Sequence, residues 1–135
     1  GAGNLLVTGT GNKIEDFGLG FFTKYGDGGV DLSPIADLKK TEVYELADHY
    51  KIPESIRKAL PTDGLFADCR SDEDQLGASY PELEWAMEYV NTGNRSSLND
   101  RQKQVLDIYT TRHRANRHKM EPIPICRVPA ELKNQ

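Results

Sequence analysis

Several features that would narrow the role of this chain at once are missing or sparse. Its 135 residues hold two cysteines, Cys69 and Cys126. They lie too far apart for CxxC metal or redox spacing and are too few for a disulfide framework, so a reducing compartment, the cytoplasm, is the expected location. No apolar run approaches the ~18 residues of a membrane span, and the opening GAGNLLVTG lacks the basic region and long apolar stretch of a signal peptide, so no membrane partner is expected. A formal charge of −4 gives no global basic field to argue for nucleic acid. There is no GK[ST] phosphate loop, and Gly9-Thr10-Gly11 lacks the third glycine of a dinucleotide fingerprint. Core formers are scarce as well: hydrophobic residues make up 37% of the chain. Counted with glycine in place of tyrosine, the share is about two-fifths, against the usual ~45–50% of globular domains. That deficit points to apolar surface completed by another segment or subunit.

What is present is concentrated between Gly9 and Asp31, where GTGNKIEDFGLGFFTKYGDGGVD packs glycine turns, two lysines, acidic side chains and a Phe-Phe pair behind a short apolar segment. The run Asn4 to Gly9 reads as a buried strand of a parallel sheet, with Gly29 to Ile35 and the tail Ile123 to Val128 as the best neighbours, each interrupted by proline. The sheet is therefore expected to be incomplete. Thr10 and the Gly-Thr-Gly turn would stand at the carboxyl end of that strand, where open α/β sheets bind ligands. Lys13 and Glu15 follow in the first turn of the next element. A carboxylate there suits Mg²⁺ beside nucleotide phosphates, while Glu15 and Asp16 equally suit a helix N-terminus for its dipole alone. Phe21, Phe22 and Tyr25 read either as core aromatics or, with Lys24 among them, as a seat for a flat ligand carrying an anion. Gly26 to Gly29 reads as a turn.

Downstream, DLKKTEVYELADHYKIP predicts a helix capped by Asp37, with an apolar stripe at Val43, Leu46, Ala47 and Tyr50 and a stop at Pro53. Pro53 fits the first turn of a second short helix, PESIRKAL. The stretch PTDGLFADCRSDEDQLGAS has no period and reads as a long loop. Ser79, Pro81 and Glu82 predict the start of a third helix with Leu83, Ala86, Met87 and Val90 on one face. A last helix begins near Leu98, with Val105, Ile108 and Tyr109 inward before the stripe dissolves into TTRHRANRHK. The cluster of Arg112, His113, Arg114, Arg117, His118 and Lys119 is compatible with nucleic acid, with ligand phosphates, or with cations at a helix C-terminus. His113 and His118 are five residues apart, off the spacing that puts two zinc ligands on one helical face. Asp72, Glu73 and Asp74 read as a solvated face or a metal site, and Trp85 as packing or a subunit contact.

Taken in order, GTGNKIE, FFTKYGDGGVD, LSPIADLKK, PTDGL, SDEDQLGASYPELE and the His118-Lys119 pair resemble the carboxyl-terminal half of NAD synthetases, of the N-type ATP pyrophosphatase group, over about residues 4 to 122. The resemblance implies an α/β, Rossmann-like adenine nucleotide alpha-hydrolase fold in a single domain whose carboxyl-terminal half is mostly helical. It implies ATP-dependent amidation of deamido-NAD through an acyl-adenylate, with Mg²⁺, ATP and ammonia or glutamine as the other requirements, ammonia being favoured by the short tail after Lys119. By the same resemblance Thr10, Lys40 and Thr62 contact ATP, Glu15 binds Mg²⁺, and Lys24, Asp31, His118 and Lys119 contact deamido-NAD. Residues 62–76 would be a mobile loop over the site, and the protein a homodimer.

Two departures stand out. The spacing from Thr10 to Gly20 is one residue longer than the resemblance implies, which leaves Glu15 and Asp16 as alternative metal ligands. The SGGxDS pyrophosphate signature of the amino-terminal half is not in this sequence, so the chain is expected to need that half and to be inactive alone. The remaining alternatives are a non-catalytic nucleotide-binding remnant and a related pyrophosphatase amidating another acyl group.

Overall fold

A computed structural model describes residues 3, 5–62 and 71–133. The Lys13–Leu19 segment forms a short π-helix, followed by α1 (Lys40–His49), α2 (Glu54–Arg57), α3 (Asp72–Leu76), α4 (Tyr80–Asn91) and α5 (Asp100–Met120), with a final 3₁₀ turn at Ala130–Leu132. The core lies where α4 and α5 cross the π-helix. Ile14, Leu19, Leu83, Ala86 and Val105 are fully or almost fully buried there, joined by Leu76, Tyr80, Met87 and Tyr109.

The start of α4 follows the sequence expectation. Ser79 caps it, Pro81 stands in its first turn, and the Glu82 carboxylate accepts from the Ser79 N–H at 2.9 Å. An N–H group that would otherwise be unpaired is thus satisfied. Leu83, Ala86 and Met87 face inward, whereas Val90 is exposed. The last helix begins at Asp100 rather than Leu98, because Asn99 accepts from the Gln102 N–H at 2.8 Å and is the better cap. It runs on past the end of the apolar stripe to Met120, where Arg112, His113, Asn116 and Lys119 find partners on neighbouring backbone.

Other expectations are corrected. Among the described residues no strand forms from Val7 or from 123–128. A single parallel bridge pairs Thr8 with Leu32, in the neighbour segment foreseen, and Leu5, Leu6 and Val7 are exposed. A strand with one partner residue has too few ladder hydrogen bonds to persist. Helix α1 is capped by Lys39, not Asp37, whose carboxylate is taken by Lys13 at 2.7 Å. No residue of α1 or α2 is buried, so the stripe at Val43, Leu46, Ala47 and Tyr50 faces no core. Instead α1 hangs on α4 by polar contacts: buried Glu84 accepts from the Thr41 N–H at 3.0 Å and hydroxyl at 2.7 Å. Lys39 also pairs with Glu88. Pro53 occupies the cap of α2, not its first turn. Part of the expected long loop is helix, since Ser71 and Asp74 form a reciprocal cap on α3. Residues 63–70 of that loop lie outside the described residues.

Candidate active site

The π-helix sets the geometry. Asn12, almost fully buried, caps it by accepting from the N–H groups of Ile14 at 3.1 Å and Glu15 at 3.0 Å. At its other end the backbone turns left-handed at Gly20 (φ 63°), and the Phe21 N–H returns to the Glu15 carbonyl at 2.8 Å. A side chain at Gly20 would be both strained and blocked, its Cβ falling 2.4 Å from Asn116 Cβ. A π turn accommodates one extra residue in a helix and often marks a functional site.

Consecutive carboxylates on this helix then serve different surroundings. Glu15 Oε1 accepts from Lys40 Nζ at 2.7 Å and from the Tyr80 hydroxyl at 2.6 Å, and Asn12 Nδ2 donates to Oε2. Asp16 lies against Gly11, where a Cβ would fall 1.8 Å from its carboxylate oxygen. Partial burial, with Glu15 and Asp27 nearby, pushes the Asp16 carboxyl up to about 6.

A cavity of about 430 Å³ is lined by Thr10, Gly11, Glu15, Asp16, Phe21, Asp27, Lys40, Pro61, Thr62 and Asp72. Thr10, Glu15, Lys40 and Thr62, which the sequence distributes over more than fifty residues, thus border one space. A second cavity, of about 300 Å³, shares Asp16 and is lined by Lys24, Tyr25, Phe22 and Lys119 among others. Asp16 borders both. Asp31 and His118 line neither. The Asp31 carboxylate accepts from the Val7 N–H at 2.7 Å, and the exposed His118 ring has its Nδ1 3.2 Å from the Ala115 carbonyl.

Helix α5 holds the segment between the cavities through a row of side chains spaced three apart. His113 Nδ1 lies 2.7 Å from the Gly18 carbonyl, Asn116 Nδ2 donates to that of Leu19 at 2.9 Å, and Lys119 Nζ donates to those of Gly20 and Phe22, both at 2.9 Å. Lys24 Nζ reaches back to the His118 carbonyl. Asn116, Tyr80 and Asp27 were not singled out as site residues by sequence, and Asp72 only as part of an acidic run that is either a solvated face or a metal site. Only the three-residue spacing of His113, Asn116 and Lys119 could have hinted at this row.

The first cavity carries four carboxylates against the single ammonium of Lys40. That charge excess repels a polyphosphate unless a cation intervenes. Among the described residues no group of three His, Cys, Asp or Glu side chains is arranged to hold a metal ion by itself. Mg²⁺ asks for less: one or two carboxylates, phosphate oxygens and water. The hard oxygen donors of Glu15 and its neighbours fit that requirement.

The sequence profile of the NAD synthase family matches residues 1–123. The chain belongs to the NAD synthase family. NH₃-dependent NAD⁺ synthetases of Picrophilus torridus and Archaeoglobus fulgidus are 46% identical over 106 residues and 41% identical over 125 residues, covering 78% and 93% of this chain. It spans 42% and 48% of their lengths, less than half in each case. Among solved structures, the NMN synthetase of Francisella tularensis superposes with a TM-score of 0.70 at 28% identity, over 94% of this chain and 48% of that one. The NH₃-dependent NAD synthetase of Campylobacter jejuni, in complex with a nitrate ion, gives a TM-score of 0.64 at 23% identity over 92% and 46%, a likeness of fold alone. The fold is the Rossmann-like adenine nucleotide alpha-hydrolase fold, and about half of its described part is helical.

Proposed function

We propose that this chain is the carboxyl-terminal part of an ammonia-dependent NAD synthetase, which amidates deamido-NAD to NAD at the expense of ATP. The observation that carries this reading is the convergence of Thr10, Glu15, Lys40 and Thr62 on one cavity beside a second that holds Lys24 and Lys119. Identity above 40% to NH₃-dependent NAD⁺ synthetases supports it.

A nicotinate carboxylate is a poor electrophile because an oxide ion would have to leave. Transfer of AMP from ATP converts it to a mixed anhydride and releases pyrophosphate. Ammonia then attacks the carbonyl and AMP departs. In this scheme Thr10 and Thr62 hydrogen-bond ATP, and Lys40 offsets charge on its phosphates. Lys24 and Lys119, which line the second cavity, hold deamido-NAD there, and the family resemblance adds Asp31 and His118, which line neither cavity. Glu15, with Asp16 as the alternative, would hold Mg²⁺, which supplies further neutralisation of phosphate charge. The chemistry needs no protein nucleophile, so positioning and exclusion of water from the anhydride are the chain's contribution. An amino-terminal half bearing the pyrophosphate signature, a homodimeric assembly and a cytoplasmic setting belong to the same proposal.

The likeness to an NMN synthetase favours a second reading, the same amidation on the mononucleotide. The deciding experiment measures AMP and amide formation from Mg-ATP, ammonium and either deamido-NAD or nicotinic acid mononucleotide, with the chain alone and with an added amino-terminal half. The expected result is no turnover alone, turnover on complementation, and preference for deamido-NAD. Nucleotide binding without turnover, in a sample shown to associate with the added half, would leave a non-catalytic remnant.

A further inference from the structure

We propose that Tyr80 is a positioning residue for the candidate nucleotide cavity: from behind its wall, the hydroxyl fixes the Glu15–Lys40 pair in the arrangement that receives a divalent cation and a phosphate. The inference rests on the proposed role of that cavity in nucleotide binding.

Tyr80 is 3% exposed, and it does not line the cavity. It nevertheless touches three charged groups that do. Its hydroxyl lies 2.6 Å from Glu15 Oε1 and 3.1 Å from Asp72 Oδ2, and Lys40 Nζ stands 5.2 Å over its ring. The same Lys40 Nζ is 2.7 Å from Glu15 Oε1. A phenol has one proton to give. The shorter contact assigns it to Glu15, so Tyr80 reinforces Glu15 as a charged acceptor while its ring restrains the competing ammonium. Lys40 stands where a cation would bind Glu15. A divalent ion on Glu15 would meet a carboxylate already oriented, because Tyr80 and Asn12 hold its two oxygens, and the Lys40 ammonium would be left to phosphate. Partners behind a ligand that fix its orientation commonly govern metal affinity by roughly 10- to 100-fold.

A purely structural Tyr80 would matter only through its ring, which packs in the core. The test therefore removes the oxygen alone. Mn²⁺ binding to this chain is titrated by electron paramagnetic resonance for the parent, Tyr80→Phe, Glu15→Gln and, as a control for loss of a buried phenol elsewhere, Tyr109→Phe. Tyr80→Phe is expected to weaken Mn²⁺ binding by roughly 10-fold or more, Glu15→Gln at least as much, and Tyr109→Phe not at all. Equal affinity for the parent and Tyr80→Phe overturns the proposal, as does absence of Mn²⁺ binding by the parent. A measurement on the parent alone guards against a variant that fails to fold. In a Mg²⁺ titration followed by carbon-13 NMR of the tyrosine rings, the Tyr80 signal should move with occupancy and the Tyr109 signal should not; an unmoved Tyr80 signal also refutes it. NAD formation on complementation, combined with unaltered Mn²⁺ affinity in Tyr80→Phe, would reject Tyr80 and leave the proposed function standing.

Discussion

Two regions of this chain are built on opposite principles. Where α4 and α5 meet the π-helix, apolar side chains interlock and Ile14, Leu19, Leu83 and Ala86 are fully buried. Around α1, α2 and the first residues, large apolar side chains lie open: Leu5, Leu6, Tyr50, Ile56 and Leu60 are all exposed. The first region holds itself together by excluding water. The second is attached by hydrogen bonds and ion pairs, through Glu84, Glu88 and Lys39. The candidate site lies along their seam, with Glu15 from the closed region paired to Lys40 from the open one. Exposed apolar surface on this scale is what an additional layer of protein would cover. The coverage of less than half of the relatives' length agrees with that.

The sharpest way to break the comparison is Leu83→Ala. A cavity in the closed region should cost about 2–5 kcal/mol, read as a lower urea midpoint with unchanged slope; a loss below that range would mean the region is not the core. Next comes Asn12→Ala, which removes the buried cap of the π-helix and one tether of Glu15, for about 1–2 kcal/mol. Thermal unfolding monitored by circular dichroism measures it, and preserved stability would show that water replaces the cap.

A smaller effect depends on pH. The carboxyl of Asp16 is raised in the folded state to about 6 from 3.8. The folded state thus keeps a proton that the unfolded chain loses first. Its contribution is complete below the unfolded value and is lost as pH rises through about 6. Asp16→Asn should therefore gain stability relative to the parent as pH rises from 4 to 7, and a melting-temperature difference independent of pH would contradict this. The smallest effect is expected at Ile56→Ala in the open region, within about 0.5 kcal/mol for the chain alone. The same substitution should weaken association with an added amino-terminal half in a pull-down titration. Indifference there would mean that another layer does not rest on α2.

The sequence was most legible where local chemistry decides. Ser79, Pro81 and Glu82 announced α4, and the motif order brought Thr10, Glu15, Lys40 and Thr62 forward as a group that the fold draws to one cavity. It was least legible where a partner decides. The stripe of α1 reports an amphipathic helix, but periodicity does not tell which body covers the apolar face, and here the described residues leave Leu46 and Tyr50 exposed and Val43 and Ala47 only half-buried. Strand pairing failed for a related reason, since Val7 and Thr8 have one neighbouring segment and a sheet needs more. Tyr80 escaped notice because its meaning lies in Glu15, 65 positions earlier. The cap at Ser71 and Asp74, by contrast, was readable as S-x-x-D and was missed inside an acidic run.

The π turn at Lys13–Leu19 works as a phase shifter. Its wider winding fixes how far the backbone has rotated by the time it reaches Gly20, and so which way the carbonyls that α5 grasps one by one are turned. The turn is thus the register mark by which the glycine-rich segment and the last helix are keyed to each other.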